Sequence, residues 1–271
     1  MYKILVSCSV LFMLAGCTTK ENVTYSFNGT KLLSSKSDRS ESLIVIDAGH
    51  GGHDSGATSA NKKEKDLVLK IAHLTASKFR SMGYKVHLTR KKDRFIKLSG
   101  RTRIADKKEG KVFISIHANA IANKKRFNKV EGVETYFLQK TRDAKSQRIA
   151  KRENASVLQG ADSLSKNVII DSVLNGPKII ESNKLAIDVQ GNIMAHLRNK
   201  YSDVKNGGVR PAPFYVLVGA SRPSILVEVG YITNDKERAR LFTADYQERI
   251  ARGIAIGTTK YIDNRKKELG F

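Results

Sequence analysis

Tryptophan is absent from this chain of 271 residues, and aromatic residues make up only 7% of it. Base-stacking platforms of the kind that hold single-stranded nucleic acid are therefore poorly supplied. Cysteine occurs twice, at Cys8 and Cys17, so nothing beyond residue 17 can form a disulfide or a cysteine-based metal site. The fold must rest on its core and on any metal it holds. Acidic residues are scarce, 26 against 49 Lys and Arg, which leaves a formal charge of +23. The basic residues are spread along the chain rather than gathered in one block. Such a field draws a protein toward polyanions: anionic lipid, wall polymers or nucleic acid. Nucleic acid ranks last, because few aromatics interleave with the basic residues and no nucleic-acid motif is present. Apolar residues are 40% of the chain, enough for the core of one α/β domain.

No apolar run near the start reaches the ~20 residues of a membrane span. Residues 4–14 are mostly apolar and follow one positive charge at Lys3, which reads as an export signal. Leu14-Ala15-Gly16-Cys17 resembles the lipobox of bacterial lipoproteins. That resemblance implies a signal peptide over residues 1–17 and acylation of Cys17 as the first mature residue. Thr18, rather than aspartate, implies an outer-membrane address in a two-membrane cell, facing the periplasm. Residues 18–42, rich in Ser, Thr, Lys and Asn, read as a flexible tether.

Beyond residue 42 the pattern alternates. Strands are expected at 43–47, 84–89, 112–116, 133–138, 214–218 and 225–229. A helix is expected over 64–82, with Val68, Ile71, Ala72, Thr75, Phe79 and Met82 on one face. A last helix starts at the cap Thr243 and buries Tyr246, Ile250, Ile254, Gly257 and Tyr261. Alternation of this kind predicts an α/β fold, a mostly parallel sheet flanked by helices on both faces, spanning residues 43–265.

Three apolar runs end in groups suited to a metal site: Ile44-Val45-Ile46-Asp47-Ala48-Gly49-His50-Gly51-Gly52, Phe113-Ile114-Ser115-Ile116-His117-Ala118-Asn119 and Ile225-Leu226-Val227-Glu228-Val229-Gly230. Carboxyl ends of strands line the crevice of open α/β sheets, so His50, His117 and Glu228 are expected to converge. A carboxylate between Val227 and Val229 must be paired, metal-linked or functional, since burying it bare is costly. Residues 83–90, Gly-Tyr-Lys-Val-His-Leu-Thr-Arg, and 101–105, Arg-Thr-Arg-Ile-Ala, lie between these segments.

In this order the segments resemble the zinc N-acetylmuramoyl-L-alanine amidases, over about residues 43–261. The resemblance implies zinc held by His50, Glu64 and His117, with Glu228 as catalytic base. Glu64 stands in a charged run, Lys62-Lys63-Glu64-Lys65-Asp66, and its ligand role rests mainly on the resemblance. Two imidazoles and one carboxylate leave a fourth position on zinc for water or substrate, the catalytic arrangement. Asp47 is expected to accept a hydrogen bond from a ligand's ring N–H, and Asn119 to bond substrate. His73, His87 and His196 read as structural, and nothing in the spacing demands a role for His53.

Residues 139–198 read as a mostly helical insert that resembles one in division-associated amidases, where a helix covers the zinc until an activator protein displaces it. Glu153 is the residue expected to occupy the open position. The sequence thus predicts a lipid-anchored peptidoglycan hydrolase cutting the amide between N-acetylmuramic acid and L-alanine, in wall remodelling or daughter-cell separation. A zinc peptidase acting within the stem peptide and a non-catalytic wall-binding lipoprotein stand as alternatives.

Overall fold

The computed structural model describes residues 36–155 and 176–270. In chain order it runs α1 (Lys36–Glu41), β1 (Leu43–Ala48), the short pair β2 (Thr58–Ser59) and β3 (Lys62–Lys63), α2 (Glu64–Ser81), β4 (Lys85–Leu88), α3 (Leu98–Lys107) and β5 (Val112–Asn119). It continues with β6 (Val133–Leu138), α4 (Ala144–Glu153), α5 (Gly176–Arg198), β7 (Asn206–Ala212), β8 (Ser224–Tyr231), α6 (Asp235–Leu241) and α7 (Ala244–Glu268), with 3₁₀ turns at Lys124–Lys129 and Tyr215–Leu217. Six strands form one sheet in the order β4-β1-β5-β8-β6-β7. The first four of these are mutually parallel. β6 runs antiparallel to β8, and β7 runs parallel to β6.

Period-two alternation decides what each face carries. Ile44, Ile46, Ile114, Ile116, Ile225 and Val227 point into a core shared with α2, α5 and α7. The opposite face sends Val45, Phe113, Tyr136 and Leu226 into a smaller core with Ile149 of α4 and Phe214. Asp47, His117, Glu134 and Glu228 have the parity of that second face. Helices cover both faces, as the sequence predicts. Thr243 caps α7 by accepting a hydrogen bond from the Tyr246 amide, and the expected stripe from Tyr246 to Tyr261 is buried.

Some expectations need correction. Residues 214–218 do not form a strand. Pro211 and Pro213 flank the end of β7, and a chain without those N–H groups cannot continue a ladder, so it turns into the 3₁₀ segment Tyr215–Leu217. The strand in that region is β7, at the sheet edge, where Pro211 is tolerated. Nor are residues 139–198 one insert: α5 packs Leu185, Val189, Ile193 and Leu197 into the main core. Among the described residues only α4 remains of the expected cover, and Ile169 to Leu174 lie outside them. The expected tether 18–42 ends in α1, where Arg39 is buried and pairs with Asp263 of α7 at 3.5 Å. The rest of that tether and Cys17 lie outside the described residues. No described helix is long and apolar enough to cross a membrane.

α5 crosses α7 at two glycines four residues apart. A Cβ on Gly253 would stand 2.5 Å from the Ile193 Cα, and one on Gly257 would stand 2.6 Å from both the Asp188 carbonyl oxygen and the Val189 Cα. Backbone, unlike a side-chain tip, cannot swing aside. Overpacking of this kind costs about 1–3 kcal/mol, so Gly257→Ala is expected to lower the melting temperature by roughly 2–10 °C. An unchanged thermal melt would show that the two helices separate freely.

Candidate metal centre and active site

The site forms where the sheet's connections diverge. β1 leads through α2 to β4 on one side, while β5 pairs on β1's other side, and such a switch point leaves a crevice at the strands' carboxyl ends. The chain leaves β1 in an unusual turn: His50 has φ 58°, followed by Gly51 at 122° and Gly52 at 62°. A left-handed conformation costs a non-glycine residue about 1–2 kcal/mol. Two buried arginines hold the turn. Arg90 donates to the carbonyls of Ala48 (2.9 Å), Gly49 (2.8 Å) and Lys65 (2.8 Å). Arg101 donates to those of Ala48 (2.6 Å) and His50 (2.8 Å) and to Asp47 (2.8 Å). These are the arginines of the two intervening motifs, and their work is to fix the backbone that aims His50.

Asp47 does not touch a histidine. It accepts from Arg101, from the Thr89 hydroxyl at 2.5 Å and from the Ser115 hydroxyl at 2.8 Å. Burial pushes its carboxyl up, but Arg101 and the two hydroxyls outweigh that and hold it below the ordinary value. Asp54, four residues past His50, takes the expected role instead, its Oδ2 lying 2.9 Å from His50 Nδ1. Asp47 shares a face of the sheet with His117 but lies two residues short of it, opposite Ser115, where Arg101 of α3 rather than an imidazole meets it.

His50, Glu64, His117 and Glu153 each offer one ligand atom, all within 4.8 Å of one another. His50 Nε2 lies 3.1 Å from Glu64 Oε1 and 3.2 Å from Glu153 Oε2. His117 Nδ1 lies 3.2 Å from Glu64 Oε1 and 2.9 Å from Glu153 Oε2. Yet among the described residues His50 Nε2 and Glu153 Oε2, both buried, find no partner in proper hydrogen-bond geometry. Buried polar atoms this close are normally bonded to each other; here they face a common point. Ligands on a tetrahedral zinc, about 2.0–2.2 Å out, lie roughly 3.3–3.6 Å from each other, close to the spacing observed. Two glycines make the approach possible. A Cβ on Gly49 would strike the His117 ring at 2.4 Å, and one on Gly56, itself at φ +63°, would meet Glu64 Oε2 and the His50 ring at 2.6 Å. Glu64 opens α2 and is fully buried, with Oε2 accepting from the Ala57 amide and Oε1 from the Ala118 amide. The donor set therefore fits zinc.

Within the cluster the charges pair with each other. Burial pulls His117 down, but Glu153 and Glu64 override it and raise it to about 9. Burial likewise pushes Glu64 up, and His50 overrides that and lowers it to about 2.

Glu228 lies opposite His117 in the β5–β8 register and is fully buried, with neither carboxylate oxygen hydrogen-bonded. Burial, then repulsion from Glu153, push it up to about 8 against the pull of Arg152 and His117. Arg152 stands between the two acids. Its Nε donates to Glu153 Oε1 at 2.8 Å, and Nη2 pairs with the same oxygen and lies 3.6 Å from Glu228 Oε1.

The structure thus brings His50, Glu64, His117 and Glu153 into one cluster with Glu228 beside it. Asn119 sits a shell further out, accepting from Arg152 at 3.0 Å and donating to Glu134 at 3.2 Å. Arg152, Asp54 and Glu134 escaped the sequence reading. Glu134 carried the same signal as Glu228, an acid inside an apolar strand. It is fully buried and gathers Tyr136, Tyr231, Asn119 and Lys145 around its carboxylate. None of the other histidines joins the described cluster. His53 stacks on Phe95 at 4.1 Å, and His73 bonds the Lys91 carbonyl.

A family model described as N-acetylmuramoyl-L-alanine amidase matches residues 44–260. The N-acetylmuramoyl-L-alanine amidase AmiA of Escherichia coli K12 is 32% identical over 254 residues, covering 91% of this chain and 86% of its own. Among solved structures, the amidase AmiC2 of Nostoc punctiforme is 34% identical with a TM-score of 0.60, over 82% of this chain and 97% of that one. The CwlD amidase of Clostridioides difficile, solved in complex with the GerS lipoprotein, is 26% identical with a TM-score of 0.60, over 82% and 98%.

Proposed function

The chain belongs to the N-acetylmuramoyl-L-alanine amidase family, and from that premise we propose a zinc enzyme in which His50, Glu64 and His117 hold the metal and Glu228 moves the proton. Its substrate is peptidoglycan, cut at the amide between N-acetylmuramic acid and the L-alanine of the stem peptide. The observation that carries the zinc reading is the convergence of four ligand atoms around one point, two of them, His50 Nε2 and Glu153 Oε2, buried with no hydrogen-bond partner among the described residues.

Zinc, when bound, acidifies water and polarises an amide carbonyl. The remaining work belongs to the chain. Asp54 keeps the proton of His50 on Nδ1, leaving Nε2 free to ligate. The amides of Ala57 and Ala118 fix the Glu64 carboxylate. Glu228, once ionised, accepts a proton from the attacking water as its oxygen bonds to the carbonyl carbon. It then delivers that proton to the amine nitrogen as the carbon–nitrogen bond breaks.

Glu153 occupies the place where water or substrate would enter, so the closed form is inhibited. α4, which carries it, is fastened at both ends: Lys145 pairs with Glu134, and Asn154 bonds the Pro213 carbonyl and the Tyr215 amide at 2.9 Å. Opening needs Glu153 to leave the cluster, and an activator protein that displaces the helix carrying it is the proposed trigger. The structure of CwlD with a lipoprotein gives a relative with a protein partner. Acylation of Cys17 would place the enzyme on the periplasmic side of the outer membrane, beside its polymer, for wall remodelling or cell separation.

Mass spectrometry of products from purified peptidoglycan, with metal analysis of the protein, tests this reading. Peptide-free glycan and free stem peptides, with one zinc per chain that is lost in His117→Ala, are expected. Cleavage within the peptide would mean a peptidase, and wall binding without metal or products a binding module.

Zinc loading should also depend on pH in a defined direction. At pH 7 the His117 imidazole, which its acidic neighbours raise to about 9, carries a proton, whereas a metal needs the lone pair. Loading must expel it, and any proton that His50, also raised well above its ordinary value, shares with the neighbouring acids, so apparent affinity rises about tenfold per pH unit for each proton released. Calorimetry in buffers of different ionisation enthalpy counts the protons; a count of zero would remove the ion pairs between these imidazoles and carboxylates from the account.

A further inference from the structure

β8 does not run regularly past Glu228. Glu228 pairs with His117 of β5, yet the next registered pair is Tyr231 with Asn119. Between those pairs β5 advances by two residues and β8 by three, so Val229 and Gly230 together stand against Ala118. The extra residue makes a β-bulge, which bends a strand and re-aims the side chains beside it. Gly230 absorbs it with φ 141°, a conformation open to glycine. On the β5 side the shifted register is fixed by the Ile232 amide, which donates to the Asn119 carbonyl at 2.8 Å.

On its other side β8 parts from β6. Their antiparallel register runs from Phe137 with Ile225 to Glu134 with Glu228 and goes no further. Past that point the amides of Gly132, just before β6, and of Tyr231, at the end of β8, both turn to one side chain. Glu237 of α6 accepts from Gly132 through Oε1 at 2.9 Å and from Tyr231 through Oε2 at 2.7 Å. Its carboxylate spans the gap between the parting strands. Glu237 is buried, and its own amide donates to Asn234, the cap of α6, whose side-chain amide donates in turn to the Val130 carbonyl at 3.3 Å. Only a carboxylate suits this place, because it offers two acceptor oxygens and no donor, whereas a glutamine offers one acceptor and an N–H₂ group.

The restraint bears on Glu228, three residues back. The Glu228 carboxylate has no hydrogen bond among the described residues. Arg152, 3.6 Å from it, belongs to α4 and departs when that helix is displaced. In the open enzyme the course of β8 therefore aims the carboxylate. A proton carrier must lie within hydrogen-bond reach of the atoms it serves, and a misplacement of about 1 Å can cost on the order of 10²-fold in rate.

We propose that Glu237 is a positioning residue for hydrolysis: by holding the bulge at the end of β8 against the start of β6, it aims Glu228 at the attacking water and the leaving amine. This rests on the reading of Glu228 as the proton carrier.

The test is a double-mutant cycle on the full zinc-loaded chain, with Glu237→Gln, Glu228→Gln and both together, every member carrying Glu153→Ala so that rates are read without an activator. Mass spectrometry of products from soluble muropeptides gives kcat and KM. Glu237→Gln alone is expected to lower kcat about 30-fold, to leave KM within about twofold and to keep one zinc per chain. In the Glu228→Gln background the same change should lower the residual rate by no more than about twofold, since a residue acting through another adds nothing once that other is gone. Glu237→Asp, which keeps both acceptor oxygens on a shorter arm, should lose less than the glutamine variant. A further tenfold loss in the Glu228→Gln background, or loss of zinc, overturns the proposal and makes Glu237 a support of the whole site. So does a thermal melt showing that neither Glu237 variant folds, or an unchanged kcat in Glu237→Gln, which would leave Glu228 standing. Should Glu228→Gln itself keep full activity, the reading of Glu228 falls first, and this proposal with it.

Discussion

Glu228→Gln is expected to cut peptidoglycan hydrolysis by about 10³-fold, within the 10²–10⁴-fold that a positioned acid–base group contributes, while zinc content stays at one per chain. The amide keeps the shape of the carboxylate and removes its basicity. The fold should not suffer. Both Glu228 oxygens are buried without hydrogen bonds, an arrangement that costs stability wherever it occurs. With the carboxyl pushed up to about 8 it is largely protonated at pH 7, so the amide replaces one neutral group by another of the same shape and the variant's melting temperature should stay close to that of the wild type. Loss of activity together with loss of stability would point to a structural role instead. Dye release from labelled peptidoglycan, read beside a thermal melt and metal analysis, separates the two. The combination expected here, a protein of unchanged stability that is inactive, is the mark of a residue kept for chemistry rather than for folding.

Much of this site can be read along the chain because strand geometry makes it visible. An apolar run that stops at His50, at His117 or around Glu228 announces a strand end, and strand ends in an open α/β sheet meet at one crevice. Glu64 is different. Its surroundings, Lys62 to Asp66, look like a solvated charge run, and only the missing Cβ of Gly56 and the amides of Ala57 and Ala118 turn its carboxylate inward. Those are contacts across 7 and 54 positions, invisible to local pattern. Asp47 and Asp54 show the same limit. Both lie within four residues of His50, and only their places in the fold decide that Asp47, opposite Ser115 inside the sheet, serves Arg101 while Asp54, beyond the turn, serves the imidazole. β7 was missed for compositional reasons: Asn206-Gly-Gly-Val-Arg-Pro-Ala carries no β-branched run, and pairing with β6 makes the strand. In α5 helical character was legible but its burial was not, since the glycines that receive it stand in α7, at Gly253 and Gly257.

Replacing Glu153 with alanine is expected to raise basal hydrolysis roughly 10- to 100-fold at pH 7 without an activator. Two effects act in the same direction. The first is access, because the carboxylate that lies 2.9 Å from His117 and 3.2 Å from His50 no longer fills the entry point. The second is the state of Glu228. After burial, Glu153 is the largest influence pushing that carboxyl up to about 8, where only about a tenth is ionised at pH 7, each unit being a tenfold ratio. Removing Glu153 takes away the repulsion and leaves the Arg152 guanidinium free to favour the ionised form. The Glu228 value should fall, so the acid limb of the pH–rate profile should move to lower pH, and the gain over wild type should be greatest below pH 8 and shrink above it. Glu153→Gln divides the two contributions, since it removes the charge and keeps a side chain of the same length in the opening. An intermediate rise with the full shift in the pH profile is expected from it. Initial rates on labelled peptidoglycan from pH 5 to pH 9, with zinc content held equal, give the answer. Unchanged rates across that range would show that the open position is blocked by something other than Glu153.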